Sequence, residues 1–356
     1  MLGPISHQQY HATSHYSSLD GIRALSIMMV LCGHVYAQSP LSPAPIRNLV
    51  VGVDIFFVLS GYLITTLILK EYRLTTAFSF KQFIFRRLLR ILPAYYLLLL
   101  LLFVAGLLAG PSVEWTQPLF YELPWHATFL SNLIVSNSVL EITWSLSTEE
   151  QFYLIWPMIF YLYRRKVALI TLLLFTSINI GFLVSGADVF FNIHEYHLAQ
   201  TTFFPLCLGC ILAFVLDNPS TFDYIRKSLK NKFCTATILG LIAVLLLCGA
   251  EEWSGLIRVG YNLLVSAFIA ACIIEPQHSL SAILNSAFFS RVGKISYGIY
   301  LFHGIAINTF RPLLWPLDAV LIMSAGSSML FAELCYRCVE SPFLRLKART
   351  TSSIST

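Results

Sequence analysis

The sequence predicts an all-α, polytopic integral membrane protein, on three observations. Its charge content is too low to cover a water-facing surface, apolar runs of bilayer length recur along the chain, and its basic residues sort to one side of those runs. Of 356 residues, 57% are hydrophobic and 12% are charged, and the mean hydropathy is +0.72. A soluble domain carries about 25% charged residues, so lipid must cover much of this surface. Backbone groups inside a bilayer have to be bonded internally, which leaves helices or closed barrels. The runs are too long and too uniformly apolar for barrel strands.

The apolar runs fall near 19–38, 50–69, 88–109, 146–163, 167–184, 201–216, 235–250, 256–275, 296–309 and 314–334. Each approaches the roughly 20 residues needed to cross a bilayer, so about ten transmembrane helices are expected. No repeat or low-complexity linker divides the chain. The expected organisation is a polar N-terminal tail over 1–17, one transmembrane domain over 18–341 and a C-terminal tail over 342–356. The first run has neither a basic start nor a small-residue cleavage site and is expected to be retained.

Charge sets the orientation. With a cytoplasmic N-terminus and ten spans, all of the 23 Lys and Arg residues except Arg47, Arg258 and Arg311 face the cytoplasm, as the positive-inside rule requires. If the weaker apolar piece at 127–135 also crossed, the run Arg164-Arg165-Lys166 would be placed outside. Residues 125–135 therefore read as a short re-entrant or interfacial segment, with both termini cytoplasmic. Cys207/Cys210 and Cys335/Cys338 have C-x-x-C spacing, a pattern used for zinc or redox chemistry. Within apolar helices such cysteines read as small packing residues.

Ionisable groups inside the spans carry the functional signal, because each costs about 2.5–3.5 kcal/mol on insertion scales and normally faces a polar cavity. Arg23 and His34 are eleven residues apart. Eleven steps of about 100° bring both to one helix face, about 16 Å apart along the axis. Asp54 lies about one turn inside the outer end of the second span. Thr143-Trp144-Ser145-Leu146-Ser147-Thr148-Glu149-Glu150 forms the start of another. His34, Asp54, Glu149 and Glu150 are thus expected at similar depth, an arrangement suited to acid–base chemistry. Arg86, Arg87 and Arg90, with Arg23, suggest a cationic mouth for phosphate groups; taken alone they read as topology-setting charges. His303 lies mid-span, where a histidine usually bonds neighbouring helices. His126, His194 and His197 read as loop residues.

These pieces resemble membrane-bound acyltransferase family 3, the group that includes O-acetylases of O-antigen and other bacterial glycans. The matching stretches are Ser18-Leu19-Asp20-Gly21-Ile22-Arg23-Ala24-Leu25 with Gly33-His34, and Gly52-Val53-Asp54-Ile55-Phe56-Phe57. Arg86-Arg87-Leu88-Leu89-Arg90-Ile91-Leu92-Pro93, Trp144 to Tyr153, and Ser296-Tyr297 to His303 follow in the expected order. The resemblance implies a ten-helix enzyme of the bacterial inner membrane that takes an acyl group, usually acetyl, from acyl-CoA and places it on a carbohydrate hydroxyl. It implies a catalytic His34, essential acids at Asp54 and Glu149, and donor-binding Arg23, Arg87 and Arg90. Glu150, Tyr297 and His303 are expected to support the substrate. Some relatives carry an extra esterase-like domain. Its absence after the last helix implies an acceptor such as O-antigen or exopolysaccharide rather than peptidoglycan.

The expected partners are membrane lipid, acyl-CoA as co-substrate and a carbohydrate or lipid-linked glycan, with no nucleic acid, no metal and no permanently bound cofactor. A transporter or flippase for a glycan or small solute would use the same buried charges differently. A purely structural role would make them dispensable.

Overall fold

The computed structural model describes residues 3–352 except 14, 38, 40–41, 76–77, 135, 137, 164, 186–202, 249–254 and 314. Arg164, His194 and His197 lie outside the described residues. Every secondary-structure element among the described residues is helical. In chain order these are α1 (His7–Ala12), α2 (Ser17–Ala37), α3 (Ala44–Arg47), α4 (Gly52–Thr75), α5 (Phe80–Ala109), α6 (Thr116–Ala127), α7 (Trp144–Leu162) and α8 (Arg165–Ser185). There follow α9 (Phe204–Asp217), α10 (Pro219–Leu229), α11 (Cys234–Cys248), α12 (Gly255–Ile274), α13 (Ser281–Leu284), α14 (Ala287–Phe310), α15 (Leu317–Cys335) and α16 (Ser341–Ser352).

Among the described residues, six spans are long and apolar enough to cross a membrane: Ser17–Ala37, Ala44–Thr75, Phe80–Ala109, Arg165–Val184, Gly255–Ile274 and Leu317–Leu346. A seventh is added if α9 and α10, bent by 101° at their junction, count as one. The figure is lower than ten for two reasons. The helices α9 and α11 have 14 and 15 residues, while α7 and α14 carry Glu149, Glu150, Arg291 and Lys294 in their sequences.

The chain forms two compact units. The first comprises Met1–Phe78, Leu162–Phe191 and Thr202–Lys294. Its tightest crossing is that of α4 with α9. Lipid supplies no hydrophobic drive between helices, so small residues that let backbones meet become the packing device. A Cβ added at Gly61 would overlap the Leu206 carbonyl oxygen, and one at Gly209 would overlap that of Val58. Cys210 donates its Sγ–H to the Gly61 carbonyl at 3.5 Å, and Cys207 is buried beside it. Cys210 serves this crossing as a packing residue, and Cys207 faces Thr176 of α8. At the start of α2, Gly21 abuts the backbone of Leu284, and Gly293 abuts that of Asp20.

Part of the polar N-terminal tail folds onto this unit. Ser6 and Gln9 form a capping box that starts α1, satisfying two helix-end donors reciprocally. Tyr10 is buried and accepts a hydrogen bond from the Tyr62 hydroxyl at 3.3 Å. Asp217, at the end of α9, pairs with Arg73 at 3.1 Å and Arg165 at 2.8 Å, and its carbonyl meets the His7 ring at 3.1 Å. His11 lies against the Arg73 guanidinium.

The second unit comprises Ser79–Tyr161, Asn192–Thr201 and Ile295–Thr356. In it α5, 30 residues long with Pro93 inside, packs on α6. Gly298 of α14 meets Ala332 of α15, and a π-helical turn, Tyr336–Glu340, joins α15 to α16.

Gly61→Val is expected to destabilise the protein by about 1–3 kcal/mol through overpacking, read as a lowered melting temperature in detergent. A second expectation concerns α1. Burial, then the Arg73 charge, lowers the His11 pKa from 6.5 to about 4. Between those values a released α1 binds a proton that the docked helix does not, so docking weakens as pH falls. The protection factor at residues 7–12, the observed exchange relative to the intrinsic rate at each pH, should fall progressively from pH 6.5 to 4 and stay level above 6.5.

Candidate active site

In the first unit the site is built on α2, α4 and α12. Arg23 donates from Nη1 to Asp20 Oδ1 at 2.7 Å within α2, and His15 Nε2 lies 3.3 Å from the other Asp20 oxygen. His34, on the same helix, donates a ring N–H to the carbonyl of Val30, one turn earlier. A neutral imidazole has one N–H, so this bond gives the other ring nitrogen the acceptor role. Helix α2 is held against α4 where Ser26 Oγ donates to the Gly52 carbonyl at 2.6 Å and Gly33 admits the backbone of Val50.

Asp54 is 2% exposed. Its carboxylate accepts from Arg258 Nε at 3.0 Å and Nη2 at 2.9 Å, and from Asn262 Nδ2 at 2.9 Å. The guanidinium fork matches the two carboxylate oxygens, the strong form of a charge-assisted pair. Arg258 and Asn262 are one turn apart on α12, and Tyr261 between them donates to the Val51 carbonyl at 3.2 Å. Arg258 was legible only as a charge at the end of an apolar run, and its place among the three outer-side cations concealed its role. The i, i+4 spacing of Arg258 and Asn262 was the available signal.

In the second unit Arg87 lies over the ring of Tyr153, 4.8 Å from its centroid, and near that of Phe83 at 5.8 Å. Glu150 and Glu149 supply the opposing charge, and Arg90 adds to the local positive charge. Arg90 in turn acts electrostatically on Glu340, a buried carboxylate in the π-helical turn. Tyr297 donates its hydroxyl to the Ile91 carbonyl at 2.9 Å, beside Arg90. His303 is fully buried, with Nδ1 donating to the Tyr300 carbonyl at 2.6 Å. The Tyr300 hydroxyl lies 2.6 Å from Ser145 Oγ and donates to the Ile142 carbonyl at 2.8 Å. His303 is thus bonded within its own helix. His34 and Asp54 belong to the first unit, and Glu149 and Glu150 to the second.

His126 is a correction. Rather than an exposed loop residue, it is fully buried near the end of α6, 2.7 Å from Thr143 Oγ1 and 3.5 Å from Glu122 Oε2. Thr116–Ala127 contains Glu122 and two prolines, which hid the helix from a search for apolar runs. Among the described residues, no three His, Cys, Asp or Glu side chains are grouped to hold a metal ion.

A family model described as an acyltransferase domain matches residues 16–335. The chain is 30% identical to "Peptidoglycan O-acetyltransferase OatA" of Listeria monocytogenes, over 93% of this chain and 56% of that protein. It is 32% identical to "Putative peptidoglycan O-acetyltransferase YrhL" of Bacillus subtilis, over 94% of this chain and 56% of that protein. The chain thus spans little more than half the length of these relatives. No solved structure matches.

Arg258→Ala leaves the Asp54 carboxylate buried without its counter-ion. Breaking such a pair from one side costs about 3–5 kcal/mol. The single variant should therefore melt well below the double variant Asp54→Asn/Arg258→Gln in the same detergent.

Proposed function

The chain belongs to the acyltransferase family whose model it matches across residues 16–335, and we propose that it is an integral membrane O-acyltransferase acting on a carbohydrate hydroxyl. The observation that carries this reading is that the matched region holds two sets of ionisable groups drawn from water, the buried Asp54 with its donors and the half-buried Arg87 with Glu149 and Glu150. Groups of this kind persist in a bilayer protein where they serve a substrate path. The donor is an acyl-CoA, with acetyl as the usual group of the family. The family resemblance assigns Arg23 in the first unit, and separately Arg87 and Arg90 in the second, to its phosphates. The names of the relatives make peptidoglycan a candidate acceptor alongside O-antigen and exopolysaccharide.

The reaction runs through His34. With one ring N–H bonded to the Val30 carbonyl, the other nitrogen acts as the base. It takes the proton of the acceptor hydroxyl as that oxygen attacks the thioester carbonyl carbon. The C–S bond breaks, and the imidazolium returns the proton to the leaving thiolate. Fixing both substrates in a dry passage supplies the positioning part of the rate. Asp54, clamped by Arg258 and Asn262, fixes the α4 wall of the site, and Glu149 and Glu150 supply the acids of the second unit.

The accompanying topology is ten spans with both termini cytoplasmic, a short re-entrant piece at 125–135 and residence in the bacterial inner membrane. The test is His34→Ala in the purified full chain, assayed with radiolabelled acetyl-CoA and a soluble glycan. Transfer should fall at least a hundredfold while the melting temperature stays within a few degrees. Retention of most of the activity would overturn the assignment. Glycan uptake by vesicles without acylation would favour a transporter instead.

A further inference from the structure

Helix α6 ends against expectation. The Leu130 N–H bonds the Trp125 carbonyl at 2.8 Å, and the Phe129 N–H bonds that of His126 at 3.1 Å. These are the paired bonds of a Schellman motif, whose left-handed position is usually glycine. Here it is Phe129, with a φ of 55°, and among the described residues no other non-glycine has a positive φ. A bulky side chain in that region is costly and persists only where its surroundings hold it there.

Two helices of the second unit hold it. On one side the Phe129 ring stacks on Tyr95 of α5, with centroids 4.6 Å apart. The hydroxyls of Tyr95 and Tyr96 donate to the carbonyls of His126 and Ala127, each at 2.8 Å. On the other side Gln151 of α7 donates from Nε2 to the Phe129 carbonyl at 2.9 Å. The Gln151 amide also pairs reciprocally with that of the buried Asn132, donating at 2.8 Å and accepting at 3.0 Å. Glycine at 129 would end α6 at lower cost but would offer no ring to α5. The left-handed turn lets one residue turn its ring to α5 and its carbonyl to α7.

The helices joined in this way carry the charges of the second unit. Arg87 lies about two turns before Tyr95 on α5, and Glu149 and Glu150 directly precede Gln151 on α7. Arg87 stands 4.8 Å over the ring of Tyr153 of α7, and Glu150 acts electrostatically on Tyr95. The wedge and the charged groups therefore share one contact between α5 and α7. A guanidinium fork matches a phosphate only in a set orientation.

We propose that Phe129 and Gln151 are positioning residues for the donor: wedged between α5 and α7, they fix how Arg87 stands against Glu149 and Glu150, and so the guanidinium face offered to the phosphates of an acyl-CoA. The role rests on the acyltransferase reading for the identity of the donor.

The test is calorimetric titration of the full chain, reconstituted in lipid nanodiscs, with CoA. Asn132→Leu/Gln151→Met removes both members of the amide pair, so neither is left buried without its partner, and should raise Kd at least tenfold. Phe129→Gly keeps the turn, deletes only the ring and should raise Kd at least fivefold. The exchanged pair Asn132→Gln/Gln151→Asn should return Kd to within threefold of the parent. Melting temperatures check that each variant folds, and Phe129→Gly carries the comparison if the double variant does not. Residues that act through Arg87 lose their effect once it is gone, so in an Arg87→Ala background the same changes should move Kd less than twofold. A merely structural role predicts equal factors in both backgrounds. Equal factors, or Kd within twofold of the parent in the variants, would overturn the proposal while CoA binding by the parent upholds the donor reading. A parent chain that binds no CoA at millimolar concentration would sink that reading and this role with it.

Discussion

A carboxylate inside an apolar helix bundle keeps its charge only where a cation and further donors are held against it, and at Asp54 the fork of Arg258 and the amide of Asn262 meet that requirement. The consequences spread through the first unit. Helix α4 is fixed to α12 by three hydrogen bonds to one carboxylate, and α2, with His34, is held to α4 through Ser26 and the glycine contacts. Related pairs join Arg23 with Asp20 and Asp217 with Arg73 and Arg165. Once such a pair is buried, losing one member is worse than never having had either. The sequence is therefore constrained at these positions in twos and threes.

The fold class was legible because lipid leaves so few options. A chain this apolar must satisfy its backbone internally, and each predicted run coincides with a helix. What composition could not supply was which charges meet. Arg258 looked like a topology marker because it lies near a helix end, and its partner is 204 residues away in sequence. His126 was hidden by a helix whose prolines and glutamate break every apolar pattern. Glu340 escaped through its position. It lies beyond the last apolar run at 314–334, in the π-helical turn Tyr336–Glu340 that follows it.

The candidate residues also divide unevenly between chemistry and architecture. His34 is bonded through its ring to the backbone of Val30 in its own helix. His303, equally central in sequence, spends its ring N–H on the Tyr300 carbonyl and sits in a packed seam of Tyr300, Ser145 and Ile142. Both histidines bond a backbone carbonyl of their own helix, and they differ in surroundings: His303 is fully buried, His34 only partly so. The acids divide in the same way. Asp54 is saturated by donors, which suits a rigid wall, whereas Glu149 and Glu150 lie within electrostatic reach of Arg87.

The crossing of α4 and α9 constrains how such a protein moves. With Gly61 seated on one backbone and Gly209 on the other, neither helix can roll or slide along its partner without driving carbonyl oxygens into α-carbons. The pair behaves as a single strut. Its far end is equally fastened: at the 101° elbow where α9 gives way to α10, Asp217 is paired with both Arg73 and Arg165.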